Sequence, residues 1–474
     1  MAPTTRRYEL LSAAMLGFGH LCIMVGYDSG FFDQEPTNLS GIENCAKARE
    51  MRQGTESAST IYLILYSAFM IILFNFSKFP KFYAVTNVIL GQKMPKSFVL
   101  ESVIHSIHER TPKAIGKYAG YYGQAVMYII YMIGCLFSPS ILNEIGAKYI
   151  LICSAICFAS FPLGFFFVNS YYYYFSQMLL GFGYALYYQG HGGYLTSHST
   201  RKTIESNINI AWCVGCICLL LSSGILATVT HMTLDSREIM QNLKNSTEFE
   251  PVERRFSDLE IKLLFGVFLG ASVLGIVNFI SCPGKDVTNC IQETKKKGTF
   301  MEGFKQTCSA LTSKSMLQLF PLFTVLGTSS SFWLSIFTTA MNFTAANSNL
   351  TYLAAIYPLS VGVGEIGTAL FITQMSRRFK DFSLQPTMLI GAIFSILGFG
   401  LVHVSTPYDA PMRPTQEVPL LFGHSYLVIS VIGVIVGIGD CCLNSCRSVI
   451  CALAMPDRRA QAFSISKLYQ ALGS

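Results

Sequence analysis

Charge is scarce in this chain. Of 474 residues only 13% are Asp, Glu, Lys or Arg, while 51% are hydrophobic and the mean hydropathy is +0.44. A soluble globular protein carries about a quarter charged residues. The composition therefore excludes a water-soluble domain and points to an integral membrane protein whose apolar surface faces lipid. The net charge of +7 comes with no basic stripe interleaved with aromatics, which argues against a nucleic-acid partner. The sequence also lacks a paired catalytic Asp motif, a metal-ligand helix and a nucleophile elbow, so no enzyme chemistry, cofactor or metal is expected. A disulfide framework is missing too. The cysteines lie mostly inside apolar runs (Cys153, Cys157, Cys213, Cys216, Cys218, Cys441, Cys442), where Cys packs as a small hydrophobe. Cys213-x-x-Cys216 has metal-like spacing but no second ligand pair. Arg6 and Arg7 precede an apolar stretch with no small-x-small cleavage site, so this stretch is expected to be a retained first helix.

What the chain does have is long apolar runs. A spanning helix needs about 20 mostly apolar residues. Ten runs qualify: 9–28, 118–141, 149–168, 174–195, 208–230, 261–281, 317–340, 352–374, 388–405 and 425–446. An eleventh, 59–79, is apolar enough. With a cytoplasmic N-terminus and 59–79 not spanning, the inner loops hold 16 Lys/Arg and the outer loops 5. That is the positive-inside pattern. The sequons at Asn38, Asn245, Asn342 and Asn349 then all fall outside, as N-glycosylation requires. The segment 80–117, with Lys81, Lys93, Lys96, Arg110, Lys113 and Lys117, pulls the other way: if 59–79 spans, it is cytoplasmic and the N-terminus is outside.

Six helices, a basic loop over 282–316 carrying Lys295-Lys296-Lys297, and then more helices make two packed helical halves. The expected fold is an all-α polytopic bundle of the major facilitator superfamily type, built from two such halves. Residues 455–474 read as a cytoplasmic turn and the start of a further helix. A two-times-six design would need two more spans, so the expectation is an incomplete C-terminal half over 317–474: a truncated isoform, a fragment or a faulty gene reading.

Two acids sit in apolar runs. Glu365 follows Gly362-Val-Gly364 in the eighth run, and Asp440 follows Gly437-Ile-Gly439 in the tenth. A carboxylate at mid-membrane costs roughly 2.5–3.5 kcal/mol on insertion scales. Both lie roughly 20–22 Å from the outer end of their runs, at matching depth. Asn444 and Arg447 continue a polar stripe one and two turns below Asp440. Gly362, Gly364, Gly367, Gly437 and Gly439 are expected to let another helix approach. Two readings fit: a proton or cation site or polar latch, and a buried pair that fixes packing. The formal Gly362-Val-Gly-Glu-Ile-Gly367 dinucleotide fingerprint is discarded, because no strand precedes it.

The fourth run ends in Tyr187-Tyr-Gln-Gly-His-Gly-Gly193, where Gln189 and His191 either bind a ligand or pack as satisfied polar groups. Tyr171 to Tyr174 read as an interfacial aromatic belt. His20 and Gln124 are single polar residues that could line a cavity. The turn Ile141-Leu-Asn-Glu-Ile-Gly-Ala-Lys148 is a degenerate form of the major facilitator motif between spans two and three: Gly146 and Lys148 fit, and Asn143 replaces the acid.

Several stretches together resemble the uncoordinated-93 family, a divergent branch of the major facilitator superfamily. They are Gly120-Tyr-Tyr-Gly-Gln-Ala-Val126; Gln189-Gly190 through Tyr194-Leu-Thr196 with Asn207 and Trp212; Gly364-Glu365; Gly439-Asp440 with Asn444-Ser445; and Ala462-Phe-Ser-Ile-Ser-Lys-Leu-Tyr-Gln470. Tyr187 to Gly193 is closest to nematode-like members. The family's text in 1–29 resumes at Ser97, so 30–96 is expected to be an insertion within a six-helix half that continues over 97–281. The resemblance implies a regulator of an ion channel, a potassium channel complex above all, at the plasma membrane, with lipid and a channel subunit as partners. Its alternatives are a proton- or cation-coupled transporter of a small solute through Glu365 and Asp440, and an escort for membrane receptors.

Overall fold

The computed structural model describes residues 6–28, 103–104, 107–116, 119–200, 202–243, 258–284, 290, 299–347, 350, 352–378, 384–410, 415–453 and 458–473. The apolar segment 59–79, the rest of 30–96, and Asn38, Asn245 and Asn349 lie outside them.

Helices account for nearly all of this structure. In the first half they are α1 (Arg6–Asp28), α2 (Ala119–Ile145), α3 (Ala147–Leu163), α4 (Ser170–Ser197), α5 (Ile204–Leu243) and α6 (Asp258–Ser281). A short helix α7 (Phe300–Leu311) follows. The second half holds α8 (Lys314–Ser331), a π-helical turn Phe332–Ile336, α9 (Phe337–Phe343), α10 (Leu353–Arg378), α11 (Leu384–Ser405), α12 (Tyr426–Leu453) and α13 (Arg459–Gly473). A helix covers each of the ten expected spans, the seventh being shared by α8, the π turn and α9. Among the described residues, five helices are long and apolar enough to cross a membrane, within α2, α3, α10, α11 and α12; shorter apolar helical stretches lie in α1, α5 and α6.

Local chemistry sets the ends. Gly146 joins α2 to α3 at φ +82°, a conformation that a Cβ disfavours. This is why a glycine stands in the turn with Asn143 and Lys148. The Asn169 side chain caps α4 by accepting from the Tyr171 amide at 2.8 Å. The basic 282–316 segment is more than a linker. Thr299 and Glu302 form a reciprocal capping box, and the α7 helix they start packs on α2 and α13.

Within the first half, α1 packs on α5 and α6, and α4 packs on α2 and α3. In the second, α12 packs on α10 and α11, and α13 on α8. The halves meet along two seams, α5 against α10 and α13 against α2 and α4. Most of the core is one continuous apolar cluster that runs through both, with a small second cluster of Leu142, Ile150 and Leu186 between α2, α3 and α4. Exposed Leu, Ile, Val and Phe side chains such as Ile156, Leu274, Leu370, Ile393 and Leu427 cover the outside. Such a surface is stable against lipid rather than water.

Candidate functional site

Glu365 is 1% exposed on α10. The Cys216 thiol on α5 donates to its Oε2 at 2.7 Å, which ties the acid to the other half of the molecule. Asp440 on α12 has a local partner: Asn444 Nδ2 donates to its Oδ2 at 3.1 Å and to its backbone carbonyl at 3.2 Å. A neighbouring contact, Ser445 Oγ to Asn209 Oδ1 at 2.6 Å, again joins α12 to α5.

Glycines set the close approach of α10 and α12. A Cβ on Gly364 would strike the Val434 carbonyl, and one on Gly437 the Val361 carbonyl and the Glu365 amide. The same register brings Gly433 against Tyr357 and Ser360, so Asp440 lies at about the level of Glu365. Gly362 faces Leu219 and Leu220 of α5, and Gly439 faces Ser395 of α11. Gly367 faces open space and admits no neighbouring helix.

A second polar centre lies where α1, α4, α5, α12 and α13 converge. Arg447 is 4% exposed and Lys467 is 2% exposed. The Arg447 guanidinium donates to Ser448 Oγ at 3.1 Å and to Ser466 Oγ on α13 at 3.4 Å. Lys467 Nζ donates to Gln470 Oε1 at 2.9 Å and stands 4.2 Å over the Tyr188 ring of α4, a cation–π contact. Opposite them, His20 Nδ1 and the Tyr187 hydroxyl are 2.5 Å apart, with the Trp212 ring 6.2 Å from the His20 ring. These side chains and His191 line a cavity of about 20 Å³, room for roughly one water. Among the described residues, no cluster of three or more His, Cys, Asp or Glu could hold a metal ion.

The residues singled out in the sequence thus divide. Arg447 and His191 line the cavity; Glu365, Asp440 and Asn444 are absent from its lining. Gln189 is 1% exposed, and neither end of its amide has a partner among the described residues. Asn342 lies in α9, and its sequon Thr344 is 2% exposed with its hydroxyl donating to Ala340 O at 2.7 Å. Lys467 and Trp212 went unmarked as site residues. Their signal was a lone cation within Ser464-Ile-Ser-Lys467, and an indole one residue before the Cys213–Cys216 pair.

Comparison with known proteins places this geometry. The family described as "Ion channel regulatory protein UNC-93" matches residues 111–474. The chain is 23% identical over 380 residues to the UNC93-like protein MFSD11 of Xenopus tropicalis, covering 75% of this chain and 79% of that one. For MFSD11 of Xenopus laevis the identity is 22% over 375 residues, with the same coverage. Among solved structures, the major facilitator superfamily transporter FucP in its outward conformation superposes with a TM-score of 0.52 at 12% identity, over 83% of this chain and 89% of that one. The nucleoside transporter NupG does so with a TM-score of 0.50 at 12% identity, over 98% and 89%. At such identity the likeness shows the fold: a helical bundle of the major facilitator type. The chain belongs to the UNC-93 family of ion channel regulatory proteins.

Proposed function

We propose that this protein is a regulatory membrane subunit that modulates an ion channel, with a potassium channel as the partner class. The observation that carries the reading is the family match over 111–474. The seams support it physically. Within apolar packing, isolated polar contacts also link the halves, among them Cys216 to Glu365, Asn209 to Ser445 and Ser138 to Ser464. Such bonds, each contributing about 1 kcal/mol net, help select one arrangement of the two halves, and a bound channel that favours another arrangement would shift the balance. The protein works at the plasma membrane, where a channel regulator of this family would act, with its N-terminus in the cytoplasm, an orientation that the charge bias of the loops supports. The Tyr187 to Gly193 segment supports a nematode-like member.

The test is co-expression with candidate potassium channels. Current per surface-exposed channel should change, and with it voltage or pH dependence. A change in channel number at the surface alone would favour an escort role. Unchanged currents and surface numbers across the candidates would sink both.

A second reading, a secondary transporter, is favoured by the polar cavity where the two halves meet. Reconstituted protein should then show gradient-driven uptake that Glu365→Gln reduces. Vesicles silent to every imposed proton and sodium gradient count against it.

A further inference from the structure

The cavity between the halves is walled by positive charge and by hydrogen-bond donors. Arg447 and Lys467 come to it from adjacent helices, and both are nearly fully buried. Their partners are all neutral: two serines, one glutamine amide and one tyrosine ring. Arg447 Nε is buried and has no acceptor among the described residues, and neither has Trp212 Nε1 on the facing wall. His20, whose Nδ1 is engaged with the Tyr187 hydroxyl, and His191 add further polar groups to the lining. No carboxylate lines the cavity among the described residues. The acid on the same helix, Asp440, is two turns away along α12, outside this lining and engaged by Asn444, and its charge reaches both cations from there.

Two buried like charges with no carboxylate in the cavity beside them are costly. Each loses its hydration, and in a low dielectric each raises the energy of the other. Neutral hydroxyls and a ring face return only part of that loss. An anion between them would offset both terms at once. The lining offers such an anion donors on several sides: the guanidinium, the ammonium and the indole N–H. Size narrows the class. About 20 Å³ holds one water-sized species. A phosphate, a sugar acid or a lipid headgroup is excluded from this arrangement of the halves, whereas a halide fits.

We propose that the cavity between α4, α5, α12 and α13 is a binding site for a single small monovalent anion of chloride size, held by Arg447 and Lys467 with Trp212 on the opposite wall. Such an anion bridges the halves, because its ligands come from both. The inference stands whether or not the protein modulates a channel.

The experiment uses the full chain purified in detergent. Thermal unfolding is followed while chloride replaces gluconate at constant ionic strength. Bound ligand stabilises by mass action, so the melting temperature should rise saturably by about 3–5 °C. Bromide should act like chloride. Arg447→Gln combined with Lys467→Gln should abolish the response, and Arg447→Lys should retain part of it. A second readout covers the case in which the double variant does not fold. Trp212 and Trp333 are the only tryptophans in the sequence, so Trp333→Phe isolates the indole at the cavity. Bromide should then quench its fluorescence saturably, and chloride should reverse the quenching. Equal melting temperatures in chloride and gluconate would overturn the proposal, as would a chloride response that survives loss of both cations. Purely linear quenching that chloride does not compete would do the same, and would leave an uncharged Lys467 as the way the site tolerates Arg447.

Discussion

The Cys216 thiol reaches across the molecule to the Glu365 carboxylate, 2.7 Å away. The two residues belong to different halves, on α5 and α10, and both are buried. A carboxylate that looked like half of an acid pair in the sequence is therefore also a fastening between halves.

Replacing Glu365 tests that fastening. Glu365→Gln keeps the shape and an acceptor oxygen. Glu365→Ala removes the acceptor and leaves space, for an expected loss of about 1–3 kcal/mol. Thermal unfolding in detergent should rank wild type, Gln and Ala in that order. Maleimide labelling of Cys216 should be slow in the first two and faster in the Ala variant. A Cys216 that labels equally in all three would show that the seam does not depend on this bond.

Glycine positions give a paired prediction. Gly437→Ala drives a Cβ into the Val361 carbonyl and should cost about 1–3 kcal/mol, because a backbone cannot give way as a side chain can. Gly367→Ala meets nothing within 4 Å and, on a helix, should be neutral or stabilising by up to about 1 kcal/mol. Expression level and melting temperature of the two variants measured together check this. Similar losses in both would mean that the α10–α12 approach is not what Gly437 secures.

His424 makes stability depend on pH. It lies in the connection before α12, where its Nδ1 is 2.8 Å from Asn347 Nδ2 and its Nε2 is 3.3 Å from Thr406 Oγ1. Burial pushes its pKa from 6.5 down to about 4. The unfolded chain therefore binds this proton before the folded one does. The contribution is complete above about pH 6.5 and is lost as pH falls towards 4. His424→Gln keeps hydrogen-bonding groups but cannot titrate, so its melting temperature should fall less between pH 7 and pH 4.5 than that of the wild type. Parallel curves would rule out His424 as a contributor.

Thr299 and Glu302 start α7. Thr299→Ala should cost about 1 kcal/mol locally. Hydrogen exchange at residues 300–303 should quicken, while global unfolding barely moves. Unchanged exchange there would mean that packing on α2 and α13, and not the cap, holds the helix.

Much of the fold was legible in the sequence because lipid demands it. Every spanning segment must be long, apolar and internally hydrogen-bonded, so hydropathy alone marked the ten runs that helices cover, and five of the described helices are long and apolar enough to cross a membrane. The acids stood out for the same reason, and so did the glycines that precede them. The helix α7 was harder to see, because its twelve residues sit in a charged segment; its local signs are the capping box and apolar residues at helical spacing, Phe300, Phe304 and Leu311.

The sequence by itself determined the membrane class, the two-half layout and which residues are costly to bury. Only the tertiary structure decided who meets whom. Helical periodicity gives the face a residue occupies but not the helix that face will meet. Cys216 and Glu365 are 149 positions apart, and Arg447 shares its cavity with His20 and Lys467 through a packing that no local pattern encodes. The acids thus ended with Cys216 and Asn444 as partners, while the cations, scattered singly along the chain, converged on the place where the halves join.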